Sequence, residues 1–244
     1  MNGFSQKFVA HSLGLCIAGT LHAQAQGTFQ NLGFELATLT NVSPGQIAFV
    51  PFNNAFPGWT GYWGTNPAPL AIYNGVSIGS VQISLIGRSS PEYSNNVIVG
   101  NYSAALSAGS YENDPIYQPA AIAQVGTIPA TAQSLRFRAQ PLLGNIGNLA
   151  VTLDGQAIPF YALGTGPNYV SYGADISAFA GLTRELRFSE HPISGPTPTV
   201  FLDVIAFSDS PIPEPGPCGL FVFGALLVGC RLLRKQSGVA PVLE

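Results

Sequence analysis

Apolar and polar residues alternate in short runs through the middle of this chain. Gly, Pro and Asn break the runs at intervals of about 8–12 residues, the rhythm of an all-β sandwich. Leu135 and Phe137 interleave with Arg136 and Arg138, which puts one pair on a buried face and the other on a wet one. Runs at 79–85, 148–153, 185–189 and 200–207 likewise predict strands. Asp154-Gly155, between Val151-Thr-Leu153 and Ala157-Ile158, predicts a two-residue hairpin, because both residues tolerate the left-handed backbone such a turn needs. No window sustains a helical period, and 175–180 reads as a single turn. The stretches 53–69 and 111–119 read as wide loops, and wide loops between long strands favour a jelly roll over a small immunoglobulin domain. Leu-Arg-Phe occurs at Leu135 and again at Leu186, but with unlike flanks, so these are two strands of one domain rather than a duplication.

Both ends break the pattern. Residues 8–21 form an apolar run too short to span a bilayer, between Lys7 and the small residues of Ala23-Gln24-Ala25. That order reads as a signal peptide over 1–25, cut by signal peptidase before Gln26. At the other end a proline-rich spacer, 211–217, precedes an apolar segment over 218–235 that closes on Arg231, Arg234 and Lys235, followed by a tail, 236–244. Proline keeps the spacer out of sheet and helix alike. Positive charge after the span holds that side in the cytoplasm and leaves the large domain outside. The span is short: as a helix, 218–233 covers about 24 Å against a hydrocarbon core of about 30 Å. The expected organisation is a β-sandwich ectodomain over 26–210, flanked by a signal helix and a transmembrane helix.

Charge and cysteine placement narrow the function. Only 9% of residues are charged, against about 25% in an average soluble domain, so Ser, Thr, Asn, Gln and Gly must cover the surface. Residues 26–212 hold five arginines, no lysine and ten carboxylates, a net charge of −5. Such a domain has no basic stripe for a phosphate backbone, which argues against nucleic acid. No glycine-rich phosphate loop occurs either, so nucleotide binding has no support. Cys16, Cys218 and Cys230 all lie in the ends, leaving the middle without disulfide, thiolate ligand or cysteine nucleophile.

Ile212-Pro-Glu-Pro215, an apolar run and an arginine-rich end together resemble the PEP-CTERM sorting signal of Gram-negative bacteria that make extracellular polysaccharide. The resemblance implies that an exosortase, a membrane cysteine protease, recognises Pro213, Glu214 and Pro215. It implies anchoring in the inner membrane, then passage to the cell surface or beyond after processing. The extension 236–244 is longer than the pattern leads one to expect. Phe29-Gln-Asn-Leu-Gly-Phe-Glu35 resembles the opening of galactose-binding-like jelly rolls and related carbohydrate-binding modules. Phe56-Pro-Gly-Trp59 resembles their following Pro-Gly-Trp, and 201–207 resembles their last strand. In that family an acid after the N-terminal Phe and one in the last strand often hold a structural calcium, which makes Glu35 and Asp203 the expected ligands. No other cofactor is implied.

Tyr62, Trp63 and Tyr73, beside Gly61 and Gly64, are the aromatic candidates for stacking on sugar rings, whereas Trp59 reads as core. Glu112 and Asp114 sit two residues apart in one loop, which is no evidence for the facing carboxylates of a glycosidase. His191 is the one histidine of 26–212, too few for a usual zinc site. The reading is a non-enzymatic, exported cell-envelope or extracellular-matrix protein associated with exopolysaccharide. The alternatives are a carbohydrate-binding module acting through the three aromatics, and a secreted polysaccharide hydrolase.

Overall fold

A computed structural model describes residues 26–111, 116–193 and 197–212. The expected signal peptide over 1–25, Glu112 and Asp114 lie outside the described residues. So do Pro213, Glu214, Pro215, the apolar run with Arg231, Arg234 and Lys235, and the tail. Among the described residues no helix is long and apolar enough to cross a membrane.

Two sheets carry the domain. The larger has eight strands in the spatial order β1 (Ala48–Pro51), β4 (Leu70–Tyr73), β5 (Gln82–Gly87), β6 (Tyr102–Ser107), β16 (Thr199–Ser208), β10 (Ser134–Leu143), β14 (Val170–Asp175) and β13 (Tyr161–Thr165). The smaller has six, in the order β12 (Gln156–Ala157), β11 (Leu149–Leu153), β15 (Thr183–Glu190), β9 (Ala120–Thr127), β2 (Thr60–Trp63) and β3 (Asn66–Pro67). A short ribbon joins β7 (Gly109–Ser110) to β8 (Tyr117–Gln118). Pairing is antiparallel except between β4 and β5.

The sandwich core follows from period-two alternation. Leu135, Phe137 and Ala139 of β10 face inward against Leu186 and Phe188 of β15, while Arg136 and Arg138 stay outside. Phe137 is the hub: its ring lies 5.3 Å from Phe188 across the sandwich, 5.5 Å from Tyr172 and 5.2 Å from Phe160. A second, smaller core sits on the outer face of the larger sheet, where Ile86, Val97, Ile98, Ala105 and Phe201 pack together. The segment 88–101 covers that face, which is why all six residues of β5 are buried instead of alternate ones.

The hairpin and the single turn appear where the chain signals them. Asp154 (φ 47°) and Gly155 (φ 77°) join β11 to β12, with Leu153 paired to Gln156. A 3₁₀ turn spans Ser177–Phe179. The Ser177 amide donates to Asp175 Oδ1 at 2.9 Å, a bond that holds the Asp175 carboxyl below its ordinary value. The stretch 53–69 is no loop: it holds most of a four-residue helix, α1 (Phe52–Ala55), and the whole of β2. Gly61 hides that strand from a hydrophobic pattern, since its bare backbone is what lets the Phe52 ring and Ile83 approach.

One strand is deformed. Between Arg136 and Arg138 the pairing partner steps from Ala206 to Asp203, so three β16 intervals oppose two of β10. Val204 takes φ 50° at this bulge. A β-branched residue in the left-handed region is an outlier held by its surroundings, and bulges re-aim the side chains beside them.

Glu190 ends β15 on the inward face, 1% exposed, and among the described residues its Oε2 has no partner. Burial pushes its carboxyl up from 4.5 to about 8. The folded protein therefore holds this proton more tightly than the unfolded chain. The contribution is fully present below the unfolded value and lost as pH rises towards 8. Glu190→Gln is expected to raise the melting temperature at pH 9 and to leave it nearly unchanged at pH 4. Calorimetry at the two pH values checks this.

Candidate functional site

The three aromatics singled out in the sequence do not share a surface. Tyr62 and Trp63 are adjacent on β2 and so project to opposite faces of the smaller sheet. Tyr62 points outward beneath the Arg187 guanidinium, 4.3 Å from its ring. Trp63 turns inward against Tyr111, at 5.8 Å, with its indole Nε1 buried and without a partner among the described residues. Tyr73 belongs to the other sheet, buried in the main core with its hydroxyl 3.1 Å from Ser89 Oγ. Strand alternation separates the first two, and sheet membership removes the third. Trp59 is core as expected: its Nε1 donates to Asn31 O at 3.0 Å, and its ring meets Phe34.

Glu35 and Asp203, by contrast, do meet at one loop. Glu35 Oε1 accepts the amides of Asn101 (2.8 Å) and Tyr102 (3.1 Å), and Oε2 accepts Asn101 Nδ2 (3.0 Å). Gly100, at φ 66°, leaves the space that the Glu35 carboxylate fills. Asp203 Oδ2 accepts the Val99 amide (3.0 Å) and Ser103 Oγ (2.8 Å), and Oδ1 accepts the Val204 amide (2.7 Å). Burial pushes the Asp203 carboxyl up to about 6 against the lowering effect of these bonds, and the Glu35 charge adds to the rise. A calcium ion wants six to eight oxygens. Here N–H and O–H donors meet all four carboxylate oxygens, which accounts for both acids without a cation. The two acids work as a clasp that fastens 97–103 to the N-terminal segment and to the last strand. The Ile205 amide adds a bond to Leu32 O at 3.0 Å, tying that strand to the Phe29–Glu35 motif.

A third place was not legible as a site from the chain. On the outer face of the larger sheet, Arg136 and Arg138 border a cleft of about 370 Å³. Val204, Ala206 and Ser171 line it from β16 and β14, and Thr165 and Tyr169 form part of its rim. The Arg138 guanidinium lies 4.5 Å over the Tyr169 ring. Arg136 is steadied by Ser134 Oγ (3.3 Å) and by Ser210 O (3.4 Å). The wall carrying Tyr169 is tied down: Asn168 Nδ2 donates to Asn95 O (2.7 Å) and Val97 O (3.3 Å), and the Gly166 amide to Tyr169 O (2.8 Å). Arg184 and Arg187 pair with Asp154 and Glu185, whereas among the described residues neither Arg136 nor Arg138 has a carboxylate within ion-pairing reach. Five arginines without a lysine was the signal present in the sequence; which of them lacked partners was not.

Neither family models nor curated proteins match this sequence. Among solved structures, the K2 cleaved adhesin domain of Lys-gingipain aligns at 13% identity, over 76% of this chain and 98% of that one, with a TM-score of 0.39. The enzymatically active domain of bacteriophage CBA120 tailspike protein 4 aligns at 17% identity, over 71% of this chain and 21% of that one, with a TM-score of 0.33. Likeness at this level reaches neither ligand nor activity. The class the chain itself defines is an all-β sandwich.

Proposed function

We propose that this is an exported, non-enzymatic cell-envelope protein: a jelly-roll ectodomain delivered by a signal peptide and sorted through a PEP-CTERM signal into a polysaccharide-rich surface. Signal peptidase removes 1–25. The apolar run 218–235 holds the protein in the inner membrane until an exosortase acts at Pro213-Glu214-Pro215, after which the domain resides at the cell surface or outside. The observation that carries this reading is where the fold ends. Among the described residues β16 is the last strand, finishing at Ser208, and Asp209, Ser210 and Pro211 are exposed immediately before the motif. A chain exit on the surface of the sandwich is what a sorting signal following the domain requires. The jelly-roll assignment draws support from the repeated crossing between sheets: β9, β11 and β15 lie in the smaller sheet and β10, β14 and β16 in the larger, where β13 and β14 form a hairpin.

Intact mass and cell fractionation of the native protein test the proposal. The expected product begins at Gln26 and ends near the Pro-Glu-Pro motif. Combined Pro213→Ala, Glu214→Ala and Pro215→Ala substitution is expected to trap a longer, membrane-bound form. A native chain that keeps 218–244 in the membrane, unaffected by the triple change, would reduce it to a plain tail-anchored ectodomain. A full-length soluble chain would overturn the export reading.

A further inference from the structure

We infer that the cleft between Arg136 and Arg138 binds an acidic polysaccharide, taking sugar carboxylates on the two guanidinium groups. The inference deepens the envelope reading above and rests on it for the source of the ligand, but its geometry stands by itself.

Four features of the cleft converge. The first is charge. The domain over 26–212 carries net −5, yet among the described residues the lining of this cleft includes two arginines and no carboxylate. A local reversal of sign against an acidic background attracts an anion to that place and to few others. The second is chemistry. A guanidinium offers a planar fork that matches a carboxylate, and neither fork is used up by an ion pair among the described residues. Arg136 and Arg138 are two apart on one strand face, so their stems stand about 7 Å apart along a trough rather than converging on one point. That arrangement suits charges repeated along a polymer. The third is the remaining surface: Thr165, Ser171 and Tyr169 supply hydroxyls, and the Tyr169 ring supplies a flat apolar face, the mixture that sugar rings use.

The fourth is preorganisation. Tyr169 is held by the Asn168 bonds to Asn95 and Val97, and Arg138 is laid over its ring before any ligand arrives. The β16 bulge sits directly opposite this pair of arginines and puts Val204, in its left-handed conformation, into the cleft lining. Strain of this kind persists where the surroundings enforce it, and the clasp on Asp203 enforces it here through the Val204 amide.

A nucleic acid is the competing anion. Two arginines on a domain of net −5 make too short a basic track to follow a phosphate backbone. Planar guanidinium forks beside the flat Tyr169 face instead favour carboxylates borne on sugar rings, as in a uronic-acid polymer.

The test is affinity electrophoresis and calorimetry of the purified full-length protein with polygalacturonate, with the same polymer after carboxyl reduction, with dextran, and with single-stranded DNA. Polygalacturonate is expected to retard the protein, less so as salt is raised, and the reduced polymer and dextran are not. Arg138→Ala and Arg136→Ala are each expected to weaken binding about tenfold or more, and Arg138→Lys to restore part of it, because charge returns without the fork or the stack. Circular dichroism confirms that each variant is folded. Folded variants that bind as the parent does, equal retention by dextran, or preference for DNA would each overturn the assignment. Failure here with correct envelope fractionation leaves the sorting proposal standing, whereas polyuronate binding by a cytoplasmic chain would sink the sorting proposal alone.

Discussion

Replacing Phe137 by alanine is expected to cost about 3–5 kcal/mol of stability, the range for deleting a large aromatic side chain from a closed core. Phe137 is 1% exposed and makes three ring contacts, with Phe160, Tyr172 and Phe188. The last of these joins the two sheets. Its partners sit on β14, β15 and the segment after β12, so no single neighbour can move in to fill the void without dragging a strand with it. Urea unfolding followed by tryptophan fluorescence measures the loss as a fall in midpoint at unchanged slope. Phe137→Leu, which keeps most of the volume, is expected to lose much less. A Phe137→Ala loss below about 1 kcal/mol, the scale of a surface change, would mean that the two sheets do not pack through this residue.

The second large effect belongs to Asp203. Asp203→Ala leaves the Val99 and Val204 amides and the Ser103 hydroxyl without their acceptor. Bonds to a charged acceptor contribute about 1.5–3 kcal/mol each, and they are coupled, so a total near 3–5 kcal/mol is expected. Amide hydrogen exchange gives the local readout: Val99, Asn101 and Tyr102 are expected to exchange faster once the clasp is open. The pH dependence gives a second. The folded carboxyl titrates near 6, above its ordinary 3.8. Its contribution is therefore greatest at low pH and declines as pH rises through 6, a decline that Asp203→Ala abolishes. Chelation separates the clasp from a metal site. The melting temperature of the parent protein is expected to be indifferent to EDTA, and a fall that calcium reverses would assign Glu35 and Asp203 to a cation instead.

Much of the fold was legible because strand signals are local. Alternation at Leu135–Arg138 needs no partner to be read, and Asp154-Gly155 specifies its turn through its own backbone preferences. β2 was missed because Gly61, small so that Phe52 can lie against it, removes the apolar residue a pattern would count. The outer core under 88–101 was missed for a related reason. Ser84 and Ser103 are polar yet fully buried, and whether a sheet face is covered depends on a distant stretch of chain.

The candidate sites divide along the same line. Sequence alone determined that Glu35 and Asp203 belong together, through the likeness of the motifs around them, and that the middle is an all-β domain without a thiol. It also places Pro213-Glu214-Pro215 shortly after the predicted strand 200–207. Tertiary structure decided what those residues do. It filled the acids' oxygens with amide hydrogens, turned Tyr62 and Trp63 to opposite faces, and sank Tyr73 in the core. Among the described residues it also left Arg136 and Arg138 without a carboxylate partner beside a cleft, while Arg184 and Arg187 found carboxylates. The physical reason is one of range: backbone preference and period-two alternation act over a few residues and are written in them. A side chain's charge partner, its burial and the face it shares are set by strands that meet only when the sandwich closes.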